Sequence, residues 1–401
     1  MIKKEWMDQL YRLAFFGLIL WYLGVCVIHY FGQRPLWNDE QAVFSSIQIF
    51  QPSEFFTQPL RMVQVFPHLY LYVIQAFSKC FDYSLLSLRF FSFIFMMGAF
   101  TIWLKIARVE LKCRVEFLTF MLCWVASVPL IYYSAELKQY SLDVFVSGFF
   151  VLFLSAQPRL SQPSSVGKYG LTLAVLPAAV LFSYPAYFFL VFPLWHMCRA
   201  YKEDRSQLKF ILLYLFSILV FAAISYQFDI RLRPVEAVTN GFNDYFISTH
   251  SWKDFFQTFG EGVNNLFSRW FVELPKVFRK LARFFMMFGF IWLFVAPFVF
   301  KGTSDRRFNS VASIALIVFF ELAVAGALEK YPFGVPRTAL FLCPMLLILT
   351  IQGIGSLKKF NPFVYYSARG AFIFYLLVTA LGILKLVVTR PLIAIPTIWT
   401  S

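Results

Sequence analysis

Charge is what this chain has least of. Asp, Glu, Lys and Arg make up 14% of its 401 residues, against roughly 25% in a soluble domain, and 60% of its residues are hydrophobic. An ordinary water-soluble enzyme is excluded. Acid is scarcer than base: 21 Asp and Glu face 36 Lys and Arg, for a formal net charge of +15. Histidine (4) and cysteine (6) are also few. Cys26, Cys80, Cys113, Cys123, Cys198 and Cys343 contain no C-x-x-C pair, which excludes a disulfide framework. No H-E-x-x-H or similar spacing supports zinc. Runs such as "FFGLILWYLGVCVI" (15–28) and "FIFYLLVTALGILKLVV" (372–388) lack the alternation a transmembrane β-barrel requires.

What is present is a series of apolar stretches near the ~20 residues that cross a bilayer as a helix. Backbone groups in lipid must pair within their own segment, so these stretches should be helical. The expectation is an all-α polytopic membrane protein forming one transmembrane domain over 1–401. Its spans are placed at about 12–31, 84–104, 117–132, 140–157, 169–183, 185–199, 210–228, 284–300, 309–328, 338–353 and 371–389, eleven in all. No small-residue cleavage site follows the first span, which reads as a retained helix rather than a signal peptide. The segment 65–81 is short and carries His68, Gln75 and Lys79. Treating it as an interfacial helix puts nineteen Lys and Arg in cytoplasmic segments and seven in short external ones. Letting it cross would reverse that bias, so the positive-inside rule keeps it on the outer surface. The N-terminus is then cytoplasmic and the C-terminus periplasmic, and the net charge is a topology signal rather than a nucleic-acid footprint.

Two larger external loops remain, 32–83 and 229–283. The second contains "WKDFFQTFGEGVNNLFSRWFVELPKVFRKLARFF", aromatic and basic residues at helical spacing, which predicts amphipathic helices on the outer leaflet. Polar residues gather on the same outer face. They are Asp39-Glu40 in the first loop; Glu136, Lys138, Tyr140 and Asp143 in "YYSAELKQYSLD"; Glu329, Lys330, Tyr331 and Arg337 in "EKYPFGVPR"; and Arg61, His68 and Arg89 around the interfacial segment. Cations with tyrosine hydroxyls suit a phosphate. A carboxylate beside them suits removal of a proton from an attacking hydroxyl or amine. Apolar interfacial helices suit a lipid tail. Together these features describe a lipid-phosphate substrate with its head group outside. Solvated loop charges, span-end anchors and packed interface aromatics are the plainer readings of the same residues. Ionisable groups inside spans are few beyond Glu321 and Lys385. That disfavours a solute transporter or lipid flippase, the principal alternative together with a non-catalytic membrane scaffold.

The order of these features resembles the GT-C superfamily. They are an Asp-Glu pair after the first span, then Pro67-x-Leu69-Tyr70, "LLSLRFFSFIF" with Arg89, "ELKQYSLD" and "YPFGVPRTALFLCP". The resemblance covers about 12–350 and points to the bacterial branch of protein O-mannosyltransferases and the lipid A aminoarabinose transferase (glycosyltransferase family 39). It implies an integral inner-membrane enzyme that moves a sugar from a polyprenyl-phosphate donor to a lipid, glycan or protein acceptor on the periplasmic face. On that resemblance Asp39 is the catalytic base. Glu40 assists it, or joins it around a divalent cation where a family member uses one. Lys138, Tyr140 and Arg337 contact the donor phosphate, with Arg61 and Arg89 as further cations. Glu136, His68 and Tyr331 line the substrate cavity. Two departures stand out. The family's His-Pro-Pro before Leu-Tyr is here Phe66-Pro67-His68. The chain also ends about a dozen residues after its last span, without the soluble C-terminal domain of many relatives, so acceptor recognition is expected from membrane-proximal loops or a partner protein.

Overall fold

The structure, a computed structural model, describes residues 2–111, 113–155, 166–233, 243–268, 276–299 and 310–389. Every secondary-structure element among them is helical. The α-helices are α1 (Ile2–Phe31), α2 (Asn38–Ile49), α3 (His68–Lys79), α4 (Leu85–Glu110), α5 (Arg114–Val125), α6 (Val128–Tyr132), α7 (Tyr140–Ser155), α8 (Val166–Val175), α9 (Val191–Glu203) and α10 (Leu208–Phe228). They continue with α11 (Trp252–Ser268), α12 (Lys276–Val299), α13 (Val311–Ala327), α14 (Cys343–Ser356) and α15 (Pro362–Thr389).

Among the described residues five helical stretches are long and apolar enough to cross a membrane: Glu5–Phe31, Leu85–Glu110, Arg205–Leu232, Leu340–Lys359 and Pro362–Lys385. A sixth arises if Arg114–Val125 and Val128–Ala135, bent by 62° at their junction, count as one span. The eleven expected spans are therefore not reached. Tyr140–Leu154, Gly170–Leu181 and Val311–Ala327 are apolar but shorter. Over 169–199 the expected pair of spans is broken into pieces. Pro177 and Pro185 each sit at the start of a 3-10 turn, Leu176–Leu181 and Tyr184–Phe189. A proline ring lacks the N–H that an α-helix needs there and interrupts the ladder. Of the cations behind the orientation argument, Lys112, Arg159, Lys301, Arg306, Arg307 and Arg390 lie outside the described residues, as does the segment after the last helix.

The interior is aromatic. Tyr22 of α1, Phe100 of α4 and Trp124 of α5 stack within one core, with Tyr22 and Phe100 ring centroids 4.5 Å apart. Helix α4 packs against α7, and α12 against α14. The second crossing is close because Gly353 lies under the backbone of Phe288 and Gly289 under Thr350, where a Cβ would meet atoms at 2.6 and 2.3 Å. Small residues of this kind let membrane helices approach. The outward faces carry Leu20, Phe216, Leu219, Phe374 and Leu381, each more than 60% exposed. So much exposed apolar side chain needs a hydrocarbon solvent, and the chain is an integral membrane protein.

The connections hold the polar residues. After α1 the chain reverses through Gln33 (φ 43°) into α2. Helix α3 has 12 residues and spans roughly 18 Å at 1.5 Å per residue, well short of a bilayer core. It packs His68, Tyr70, Leu71, Ile74 and Gln75 inward. Helix α11, from the long loop, is amphipathic and docks on the 329–339 loop, where Phe259 stacks on Phe333 at 5.4 Å. Gly334 (φ +80°) faces Gly262 so closely that a Cβ there would sit 2.3 Å from its Cα. This contact fixes the loop that carries Arg337.

Candidate active site

Asp39 and Glu40 are neighbours in the first turn of α2, where carboxylates complement the helix dipole. Adjacent helical residues point about 100° apart, and these two enter different surroundings. Glu40 is fully buried. Its Oε1 accepts from Arg89 Nε at 2.9 Å and from the Leu137 backbone N–H at 2.8 Å. Its Oε2 accepts from Arg89 Nη2 at 2.7 Å and from the Trp37 backbone N–H at 3.4 Å, and pairs with Arg34 Nη1 at 3.2 Å. Arg89 in turn donates to the carbonyls of Arg34 and Pro35. Glu40 thus clamps the loop after α1, the start of α4 and the 136–140 turn together. Arg89, expected at the donor phosphate, is spent on this clamp and is only 2% exposed.

Asp39 is one quarter exposed. Its Oδ2 accepts from Arg337 Nη1 at 2.8 Å and lies 3.7 Å from Lys138 Nζ. Burial opposes its charge, but Lys138 and Arg337 outweigh burial and hold its pKa below the ordinary value. Lys138 Nζ also donates to Gln64 Oε1 at 2.8 Å. Burial pulls the Lys138 pKa down despite the pull of Asp39. Arg337 Nε is buried and has no partner among the described residues. Tyr140 begins α7 within electrostatic reach of Arg337 and Asp39, its ring edge-on to Tyr133 at 4.8 Å. Glu136 accepts from Trp37 Nε1 at 3.1 Å through Oε1, while its buried Oε2 has no partner among the described residues. Burial first, then the nearby Glu40, push its pKa up to about 8. Four basic side chains, Arg34, Arg89, Lys138 and Arg337, therefore meet three carboxyls, of which Glu136 has its charge opposed by burial and by Glu40. The centre carries an excess of positive charge and a buried donor with no partner among the described residues, which suits an anion.

The other expected residues sit apart from this pair. Arg61 is exposed. Its backbone N–H donates to Ser46 Oγ at 3.0 Å, and its guanidinium pairs with no described carboxylate. His68 is buried with Nδ1 on the Phe55 carbonyl, and burial holds its pKa low even though Asp229 lies nearby. It belongs to a second polar centre. There Tyr184 donates to Asp229 Oδ1 at 2.8 Å, Arg233 Nε is 3.7 Å from the same oxygen, and the Arg233 guanidinium lies 4.0 Å over the Tyr184 ring. Tyr331 donates to the Thr338 carbonyl at 2.7 Å and stands within electrostatic reach of both Tyr140 and Arg233, between the two centres. Sequence reasoning had no role for Gln64, Asp229 or Arg233. The spacing of Asp229 and Arg233, i and i+4 at the end of α10, was the one available signal.

A divalent cation on Asp39 and Glu40 does not fit this arrangement. Each carboxylate already faces guanidinium or ammonium groups, and a cation would have to displace them. Among the described residues no three of His, Cys, Asp and Glu come together as a ligand set.

No family model and no curated protein matches the sequence. One similar solved structure is the crystal structure of ArnT from Cupriavidus metallidurans in the apo state, at TM-score 0.51 and 15% identity over 88% of this chain. The chain spans 62% of the length of that structure. At this identity the likeness is one of fold.

Proposed function

We propose that the protein is a GT-C-type glycosyltransferase of the bacterial inner membrane that transfers a sugar from a polyprenyl-phosphate donor to an acceptor hydroxyl or amine on the periplasmic face. The observation that carries this reading is the contact between a part-exposed carboxylate and two cations: Asp39 against Arg337 at 2.8 Å and Lys138 at 3.7 Å. A donor phosphodiester reaching this centre competes with Asp39 for those cations. Arg337, through Nη1 and its unpartnered Nε, and Lys138 then hold the phosphate. Asp39, released from them, regains basicity and turns to the acceptor. The acceptor proton passes to Asp39, its oxygen or nitrogen forms a bond to C1 of the sugar, and the C1–O bond to phosphate breaks. Polyprenyl phosphate leaves with the electron pair, and its new charge is stabilised by the same two cations. Tyr140 borders the phosphate position. Glu40 and Arg89 position α2 rather than touch substrate. Tyr331 stands between this centre and the Asp229–Arg233 centre, within electrostatic reach of Tyr140 and Arg233.

The direct test is the purified full-length protein given a radiolabelled polyprenyl-phosphate sugar and membrane lipid extract. The reading expects label in an acceptor and release of polyprenyl phosphate. Solute uptake into proteoliposomes without any donor turnover would overturn it in favour of transport.

A further inference from the structure

We propose that the outward face of α2 is the acceptor site, and that it is built for a neutral glycan; this rests on the glycosyltransferase reading above. An open groove of about 560 Å³ runs along that face, lined by Asn38, Gln41, Phe44, Ser45, Gln48 and Met62. Ligand sites typically occupy about 300–1,000 Å³. Positions 38, 41, 45 and 48 follow the i, i+3, i+7, i+10 pattern of one helical face, so three amides and a hydroxyl form a single stripe. It begins at Asn38, the residue before Asp39.

Three features select the occupant. A primary amide donates and accepts at once, which matches the adjacent hydroxyls of a sugar ring. Asn38 and Gln48 are exposed, and neither side chain is engaged by another described residue. Phe44, half-buried in the groove, offers a ring face to the apolar C–H side of a sugar. Among the described residues no ionised side chain lines the groove, and the four nearby basic residues, Arg34, Arg89, Lys138 and Arg337, are paired with Glu40 and Asp39, so an anionic acceptor would find its partners elsewhere. A peptide is disfavoured because the lining is a helix, whose backbone N–H and C=O groups are paired internally and present no edge for an extended chain.

The groove is also wired to the catalytic pair. Met62 and its β-branched neighbour Val63 both adopt left-handed backbone conformations (φ 53° and 58°), uncommon for non-glycine residues and typical of functional loops. The next residue, Gln64, accepts from Lys138 Nζ, which lies 3.7 Å from Asp39. A ligand that shifts Met62 moves the partner of Lys138, and with it the charge balance at Asp39.

The test is binding without donor. Full-length protein in detergent is applied to an array of neutral oligosaccharides, sialylated and phosphorylated glycans, and peptides. Neutral glycans should be retained. The Gln41→Ala/Gln48→Ala double variant, altered only at exposed positions, should weaken that binding roughly tenfold or more, the loss of two to four hydrogen bonds. Gln48→Trp, which fills the groove, should abolish it. Retention of peptides or anionic glycans alone, no retention of any neutral glycan, or binding indifferent to these substitutions overturns the proposal. Donor turnover is not read in this assay, so failure here and failure of the transferase reading are separate results.

Discussion

Glu40→Ala separates a structural carboxylate from a catalytic one. Glu40 has no exposed surface and holds two guanidinium groups, themselves 3% and 2% exposed, along with two backbone N–H groups. Removing it leaves Arg34 and Arg89 charged and buried, with backbone carbonyls and, for Arg34, the face of the Tyr132 ring in place of a carboxylate. Breaking a buried pair in this way costs about 3–5 kcal/mol, roughly two to four powers of ten in the folded-to-unfolded ratio. Because the net stability of a domain is only about 5–15 kcal/mol, the variant should melt far below the wild type or fail to accumulate. The assay is thermal unfolding of detergent-solubilised protein by tryptophan fluorescence, with sugar transfer measured on whatever remains folded. Replacing the whole cluster, Arg34→Met with Glu40→Leu and Arg89→Leu, should recover much of the stability, because an apolar set carries no desolvation cost. A Glu40→Ala protein that melts like the wild type yet has lost transfer by a hundredfold would refute the reasoning and make Glu40 a participant in the reaction.

Other outcomes follow from the same geometry. Arg337→Ala and Lys138→Met should each raise the donor KM by about 10- to 100-fold, the worth of a charge-assisted hydrogen bond, as read from initial rates against donor concentration. Glu136 has its folded pKa raised to about 8 from an ordinary 4.5. The folded state therefore binds more protons between those values. The stability that Glu136 contributes is complete below about 4.5 and is lost as pH rises through about 8. Donor affinity should fall over the upper part of that range as a new negative charge appears beside the phosphate, whose diester charge does not change. Glu136→Gln should flatten both profiles. Gly334→Ala should loosen the 329–339 loop, because its Cβ meets the Gly262 backbone at a positive φ (about 1–3 kcal/mol of strain), and proteolysis near Arg337 should speed up.

Part of this arrangement was legible in the sequence. Apolar run length marked a membrane protein. Turns at one inferred depth grouped Asp39, Lys138 and Arg337, and the fold brings both cations within 4 Å of the Asp39 carboxylate. What could not be read were quantities fixed by long-range packing. Placing Glu40 beside Asp39 as its assistant ignored the 100° step between neighbours on a helix, which sends Asp39 to Lys138 and Arg337 and Glu40 to the core. Arg89 read as a donor-phosphate cation because its partner lies 49 residues away. Gln64 and Arg233 carry no local pattern that distinguishes them from ordinary loop residues. The breaks over 169–199 could not be read because hydropathy averages across Pro177 and Pro185, while the backbone does not.

The central claim is that Asp39 takes the acceptor proton, and the most direct measurement is transfer by Asp39→Asn. The substitution keeps shape and removes charge, and binding of the donor can be followed separately. The account predicts a folded variant that binds donor at least as tightly as wild type, because Arg337 and Lys138 lose their competing carboxylate, and transfers sugar about 10²–10⁴-fold more slowly. Transfer at the wild-type rate by that folded variant would contradict it.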